Sequence, residues 1–230
     1  GTNGHQISGL LLDHPRAELV AVAGFGARGL PATLGHVSVR DGLSDLLSDP
    51  DVDLVSLCSP LRADQGRDAV AALQAGKHVY GEKPSALCEA DLDAIVSAAA
   101  ASGCQYHEMG GTGHEQPYHA ARECVNSGEI GTVVQVLAQK SYPWHDGRPG
   151  DEAIDGGLAL QVGVYPVRFI EYVAGVTVSS IQLCETALGN ENSGGACRRA
   201  ASFLFTLSNG GVASAVCNYL NPVKHLAWGY

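Results

Sequence analysis

The period of the apolar positions changes partway along the chain. Up to about residue 107, short apolar runs alternate with Ala-rich stretches of helical period. Residues 19–23, 52–58, 78–80 and 104–107 predict strands, and residues 64–75 and 89–101 predict amphipathic helices. Gly76 and Gly103 stand just beyond those helices, where a left-handed C-cap suits glycine. This is the rhythm of a parallel sheet with helices on its faces.

From about residue 115 the rhythm differs. Residues 117–127 predict a helix ended by Gly128, and residues 133–140 a strand. Residues 157–174 form one long helical pattern closed by Gly175, with Pro166 a point of local distortion. Three long strand candidates follow at 176–187, 199–208 and 211–219. The last two are joined by Ser208-Asn209-Gly210-Gly211, a hairpin signal. The second region is expected to be α+β with an antiparallel sheet.

Composition narrows the function classes. Of the 230 residues, 45% are apolar and 17% charged, which supplies a core and argues against disorder. The net charge of -10 and the lack of a basic run argue against a nucleic-acid partner, while leaving room for one small phosphate in a local basic pocket. No uninterrupted apolar segment has membrane-spanning length, so no membrane partner is expected. Seven cysteines, an odd count without a CxxC pair, read as reduced, buried thiols of a cytoplasmic protein. The chain opens at Gly1 without Met and stops at Tyr230, from which a longer natural protein is expected.

Several stretches carry candidate chemistry. Gly1-Thr2-Asn3-Gly4-His5 precedes a short helical run, as a pyrophosphate-cradling turn would, or as an ordinary loop would. No acid follows the strand at 19–23; Arg28 is the nearest charge, and it either accepts a 2′-phosphate or faces solvent. Glu82-Lys83-Pro84 ends the strand at 78–80. Ligands bind beyond the carboxyl ends of such strands, and Pro, lacking N–H, must leave the ladder there. Lys83 so placed would reach a nicotinamide and a substrate hydroxyl; the alternative is a solvated Lys in a surface turn. Gln161 and Tyr165, four apart, share one helical face. Trp144 and His145, in a polar loop, suit sugar stacking and hydroxyl binding, or simple exposure. His107, Glu108, His114, Glu115 and His119 lack the spacing of a metal site, and no metal is expected.

The chain resembles the Gfo/Idh/MocA oxidoreductase family. The resemblance rests, in order, on Gly1-Thr2-Asn3-Gly4-His5, Asp49-Pro50-Asp51-Val52-Asp53, Ser59-Pro60, Ala75-Gly76-Lys77-His78-Val79, Glu82-Lys83-Pro84, Ser127-Gly128-Glu129-Ile130-Gly131 and the run Gly156-Gly157-Leu158-Ala159-Leu160-Gln161-Val162-Gly163-Val164-Tyr165. It implies an α/β fold class: a Rossmann dinucleotide-binding domain over residues 1–110, its first strand missing, then an α+β domain over 111–230 with a mostly antiparallel open sheet, itself truncated. The implied cofactor is NAD or NADP, contacted by Gly1 to His5, Arg28, Ser59, Pro60, Glu82 and Lys83.

The resemblance also implies an NAD(P)-dependent oxidoreductase acting on a sugar, polyol or related small hydroxy compound. Tyr165 would exchange the hydroxyl proton with Lys83 as its electrostatic partner, and Trp144, His145 and Gln161 would join them in binding substrate. A homodimer or homotetramer is expected. Gln161 replaces the family Asp, and Gly113-His114-Glu115 stands where the family often has Arg-Arg-Phe. Two other readings stay open: a non-catalytic dinucleotide sensor, and an NAD-dependent glycoside-cleaving enzyme with no net cofactor change.

Overall fold

The computed structural model describes residues 7–11, 14–24, 34–111, 115–144, 148–189, 197–221 and 228–229. The chain divides into two units, Gly1–Met109 and Gly110–Tyr230. Each is described by itself.

The first unit alternates strands and helices: α1 (Ser8–Leu11), β1 (Ala21–Ala23), β2 (Ser38–Arg40), α2 (Leu43–Ser48), β3 (Leu54–Leu57), α3 (Gln65–Gln74), β4 (His78–Gly81), α4 (Glu89–Ser102) and β5 (Tyr106–Glu108). A 3-10 turn, Arg62–Asp64, leads into α3. β1 pairs with β2, and β4 lies between β3 and β5; every pair is parallel. β4 is thus central to its ladder. The strand β2 and helix α2 were not foreseen, although Leu43, Leu46 and Leu47 have helical spacing.

The core of this unit joins Val55, Leu57 and Val79 of the sheet to Ala69, Ala72 and Leu73 of α3 and Ile95 and Ala98 of α4. Small residues let the two helices approach: a Cβ on Gly66 would stand 2.8 Å from the Asp91 Cβ. Gly103 ends α4 at φ 70°, which glycine adopts without steric cost.

The second unit contains α5 (Tyr118–Asn126), β6 (Gln135–Ser141), α6 (Glu152–Asp155), α7 (Gly157–Arg168), β7 (Val178–Thr186), β8 (Ala200–Leu207), β9 (Val212–Asn218) and β10 (Trp228–Gly229). The long helical pattern at 157–174 is two pieces: α7, then a π-helical turn at Phe169–Val173. Pro166 supplies no N–H to the helix, and the wider turn begins three residues later.

The sheet runs β10-β6-β9-β8-β7. It is mostly antiparallel, as expected, but β6 and β9 pair in parallel, so the sheet is mixed. Asn209 secures the β8–β9 hairpin: its Oδ1 accepts from Gly211 N, and its Nδ2 donates to the Val133 carbonyl. One sheet face packs on α7 and the π-helical turn, with Leu158, Val162 and Ile170 in one core with Phe203, Phe205, Ala215 and Val136. Each fully buried side chain of this size contributes about 1.5–3 kcal/mol. The cysteines correct one expectation. All seven are free, but only Cys197 and Cys217 are buried, while Cys88 and Cys184 are exposed. Cys184 lies on β7, where nearly every residue is exposed.

Candidate functional site

In the first unit, parallel register brings three strand ends to one edge. Leu57 pairs with Gly81, and Gly81 with Glu108. The segments leaving that edge are Ser59-Pro60, Glu82-Lys83-Pro84 and Met109. Ladder-like bonds continue past the strands, from Glu82 N to the Leu57 carbonyl and from Met109 N to the Gly81 carbonyl.

Lys83 is buried there, together with Ser59, Glu82 and Ser85. The chain on both sides of Lys83 is gripped. The fully buried Gln65 donates Nε2 to the carbonyls of Glu82 and Pro84, the latter at 2.9 Å. Gln65 is itself held by Arg62, whose guanidinium donates to Oε1. Glu82 turns its carboxylate onto the Lys83 N–H at 2.9 Å. Glu108 accepts from both Ser85 N and Ser85 Oγ, at 2.9 and 2.8 Å. The Lys83–Pro84 peptide is cis.

Gly81 is needed for space rather than for its dihedral angles. A Cβ there would lie 2.3 Å from the Tyr106 hydroxyl oxygen. Burial pushes the Tyr106 phenol up to about 12, so it is neutral beneath the loop. Ser59 donates Oγ to Asp68 at 2.7 Å, and Pro60 is exposed. His107 stacks on Tyr80, with ring centroids 5.5 Å apart.

In the second unit, Gly156 and Gly157, at φ 91° and 78°, turn the chain from α6 into α7. Glu152 and Asp155 secure this corner. Glu152 accepts from Arg198 N at 2.6 Å and from its guanidinium, and Asp155 accepts from Gly157 N at 2.9 Å. Gln161 and Tyr165 do share a buried stretch of α7. The Gln161 amide donates to the Asp155 carbonyl at 2.6 Å, which ties the helix to the corner before it.

Tyr165 faces a cation. Lys140, at the end of β6 and fully buried, holds Nζ 4.5 Å from the Tyr165 ring centroid and 5.4 Å from that of Tyr142. The pattern continues outward. Arg148 lies 3.9 Å over Tyr219, and Arg199 lies 3.4 Å over Trp144, which meets Tyr219 edge to face. One face of Trp144 is therefore covered by guanidinium.

The structure thus groups Ser59, Pro60, Glu82 and Lys83 at one sheet edge, and places Gln161 and Tyr165 on one helix of the other unit, where Trp144 meets Arg199 and Tyr219. Gly1, Thr2, Asn3, Gly4, His5, Arg28, His114 and His145 lie outside the described residues. Among the described residues, no group of three His, Cys, Asp or Glu side chains could hold a metal ion. No helix among them is long and apolar enough to cross a membrane. Sequence reasoning missed Gln65 and Lys140. Lys140 had a signal: period-two alternation places it on the inward face with Val136 and Ala138.

A parallel α/β unit with a gripped lysine at its strand ends, followed by a mixed-sheet unit, defines a two-part dinucleotide-binding class of protein. The chain belongs to the Gfo/Idh/MocA family. Residues 2–109 match its model described as "Oxidoreductase family, NAD-binding Rossmann fold", and residues 118–228 match its C-terminal domain model.

Among curated relatives, dTDP-3,4-didehydro-2,6-dideoxy-alpha-D-glucose 3-reductase of Streptomyces violaceoruber is 34% identical over 169 residues, covering 70% of this chain and 48% of the relative. Inositol 2-dehydrogenase of Salmonella typhimurium is 31% identical over 124 residues, covering 52% of this chain and 37% of the relative. The chain thus spans about half, or less, of the length of these relatives. GenD2 from gentamicin A biosynthesis, solved in complex with NAD, superposes with TM-score 0.82 at 21% identity, over 94% of this chain and 62% of that one. Aldose-aldose oxidoreductase from Caulobacter crescentus, complexed with glycerol, gives TM-score 0.76 at 22% identity, over 89% of this chain and 64% of that one. At these identities the likeness to the solved structures shows the fold alone.

Proposed function

We propose that the protein is an NAD(P)-dependent oxidoreductase that interconverts a hydroxyl and a carbonyl on a sugar, polyol or related small hydroxy compound. The observation that carries this reading is Lys83, a buried cation at the carboxyl edge of a parallel sheet, with the backbone on both sides fixed by Gln65, Glu82 and Glu108. Ligands of open α/β sheets bind at such edges.

The donor set there suits a dinucleotide. Lys83 brings positive charge, and the Glu82 carboxylate is turned back onto the chain's own N–H. Ser59, Pro60, Glu82 and Lys83 would hold the cofactor on this side, and Gly1 to His5 and Arg28 are proposed to complete the site. The bound nicotinamide supplies the hydride acceptor for oxidation and the donor for reduction.

Tyr165 takes the hydroxyl proton as the substrate carbon gives up its hydride, and returns that proton in the reverse direction. The Lys83 ammonium favours both the phenolate and the developing alkoxide. Trp144, His145 and Gln161 orient the substrate; Gln161 does so as a neutral group, because an amide cannot carry charge. The protein works as a cytoplasmic homo-oligomer. Free cysteines support the first part, and the exposed Leu137, Leu204 and Val216 of the sheet support the second.

The test incubates full-length protein with NAD or NADP and a panel of sugars, polyols and glycosides, following nicotinamide absorbance and product together. Net nicotinamide reduction is expected. Glycoside cleavage without it would indicate transient use of the cofactor, and tight cofactor binding without turnover a sensor. Tyr165→Phe is expected to lower turnover by about 10²–10⁴-fold; unchanged turnover removes Tyr165 as the base.

A further inference from the structure

We propose that Arg62 is a positioning residue for Lys83: its guanidinium fixes which way the Gln65 amide points, and that amide fixes the backbone on both sides of Lys83. The proposal rests on the reading of Lys83 as the residue that meets cofactor and substrate, and adds to it the group that sets where Lys83 stands.

The placement begins in the sequence. Arg62 and Gln65 are three apart, and the 3-10 turn Arg62–Asp64 runs straight into α3, which opens with Gln65. Three residues per turn set the two side chains one above the other. Both are 0% exposed. A guanidinium carries donors only, whereas an amide has one accepting end and one donating end. Arg62 Nη1 donates to Gln65 Oε1, so the donating end of the amide must face the other way. There Nε2 meets two acceptors, the carbonyls of Glu82 and Pro84, the latter at 2.9 Å. These carbonyls stand one residue before and one residue after Lys83.

The flipped amide would set Nε2 against the guanidinium and Oε1 against the two carbonyls. Donors would then face donors and acceptors face acceptors, which burial makes strongly unfavourable. An apolar side chain at position 62 would fill the same space and leave both orientations open. The buried guanidinium, costly as it is to desolvate, selects one of them. Arg62 Nη1 also lies 4.0 Å from the Sγ of Cys58, the residue before Ser59-Pro60. One chain of contacts therefore joins the exit of β3 to the exit of β4, the two segments proposed to hold the cofactor.

The test is a double-mutant cycle in the full-length protein, with NAD(P) and a sugar or polyol that turns over in the substrate panel. The enzymes are wild type, Arg62→Met, Lys83→Met and the pair. Misplacing a reacting group by about 1 Å costs up to about 10²-fold. Arg62→Met is expected to lower kcat by about 10- to 100-fold with KM within about threefold, because Lys83 acts on charge that develops in the transition state. With Lys83 already replaced, Arg62→Met should cost less than about threefold. Hydrogen exchange adds a readout that needs no cofactor. The Lys83 and Ser85 amides should exchange about tenfold faster or more in Arg62→Met, while those of β8 and β9 keep their wild-type rates.

Losses of equal size in both backgrounds, or unchanged exchange at Lys83 and Ser85, overturn the proposal while leaving the role of Lys83 intact. A Lys83→Met enzyme within about threefold of wild type instead overturns the reading of Lys83, and the proposal with it. If Arg62→Met does not fold, Gln65→Glu takes its place in the cycle. It keeps the acceptor that Arg62 meets and lacks the donor that the two carbonyls meet. A loss in kcat that vanishes when Lys83 is replaced supports the proposal. No loss, or the same loss in both backgrounds, overturns it.

Discussion

The two units hold their candidate residues by different means. Lys83 is fixed through its backbone: Gln65 grips the carbonyls on either side, Glu82 caps its N–H, and Glu108 pins Ser85. Tyr165 is fixed through side-chain packing on a helix, against a sheet whose inward face carries Lys140. Hydrogen-bonded backbone sets where a side chain starts. Packing around a ring sets the whole group and its electrical surroundings. The first suits the cofactor and substrate contacts proposed for Lys83, and the second the single proton transfer proposed for Tyr165.

Replacing the two residues themselves should give the largest effects. Lys83→Met is expected to lower kcat/KM by about 10²–10⁴-fold with the fold intact, as read by circular dichroism and steady-state kinetics. An effect below about threefold would mean that the gripped loop serves the fold alone.

Next come the supports. Gln65→Ala leaves the carbonyls of Glu82 and Pro84 without their buried donor, and should cost about 1–3 kcal/mol in denaturant unfolding. It should also lower activity, because the anchor of Lys83 loosens. Stability lost with activity unchanged would show that the grip does not position Lys83.

Crowding gives a paired comparison. Gly81→Ala would bring a Cβ to 2.3 Å from the Tyr106 oxygen, and Gly163→Ala to 2.9 Å from Phe203 Cζ. Each should destabilise its own unit by about 1–3 kcal/mol. Tyr106→Phe should rescue Gly81→Ala and leave Gly163→Ala unrescued.

A further expected effect is confined to alkaline pH. The Cys217 thiol ionises at 9.0 in ordinary surroundings and at about 12 when folded. Tyr106 goes from 10.0 to about 12. Both folded values are raised, so the stabilisation is fully present below the unfolded values and is lost as pH rises towards the folded ones. Unfolding curves between about pH 8 and 12 should show the second unit weakening first. The slope should reach about 1.4 kcal/mol per pH unit for each group. Cys217→Val should flatten the early part, and Tyr106→Phe the later part.

The sequence made the elements with strong periodicity legible, and Gly103, Gly128 and Gly175 marked helix ends correctly because the left-handed backbone there favours glycine. It also placed Ser59-Pro60 and Lys83 at strand ends. The parallel β6–β9 pair was hidden, since alternation along a strand does not record the direction of its neighbour. Gln65 was hidden too: its partners are backbone carbonyls 17 and 19 residues away, which no pattern in its own helix reveals. Lys140 was legible in principle, as a charged residue at an inward position of β6.

That parallel pair also orders events in time. The strands β7, β8 and β9 meet through near neighbours in the chain, whereas Gln135 of β6 must find Val212 of β9 across the whole intervening segment. Closing so wide a loop is slow and entropically unfavourable. The three-stranded meander should therefore nucleate first on the ribosome or in refolding, with β6 joining last.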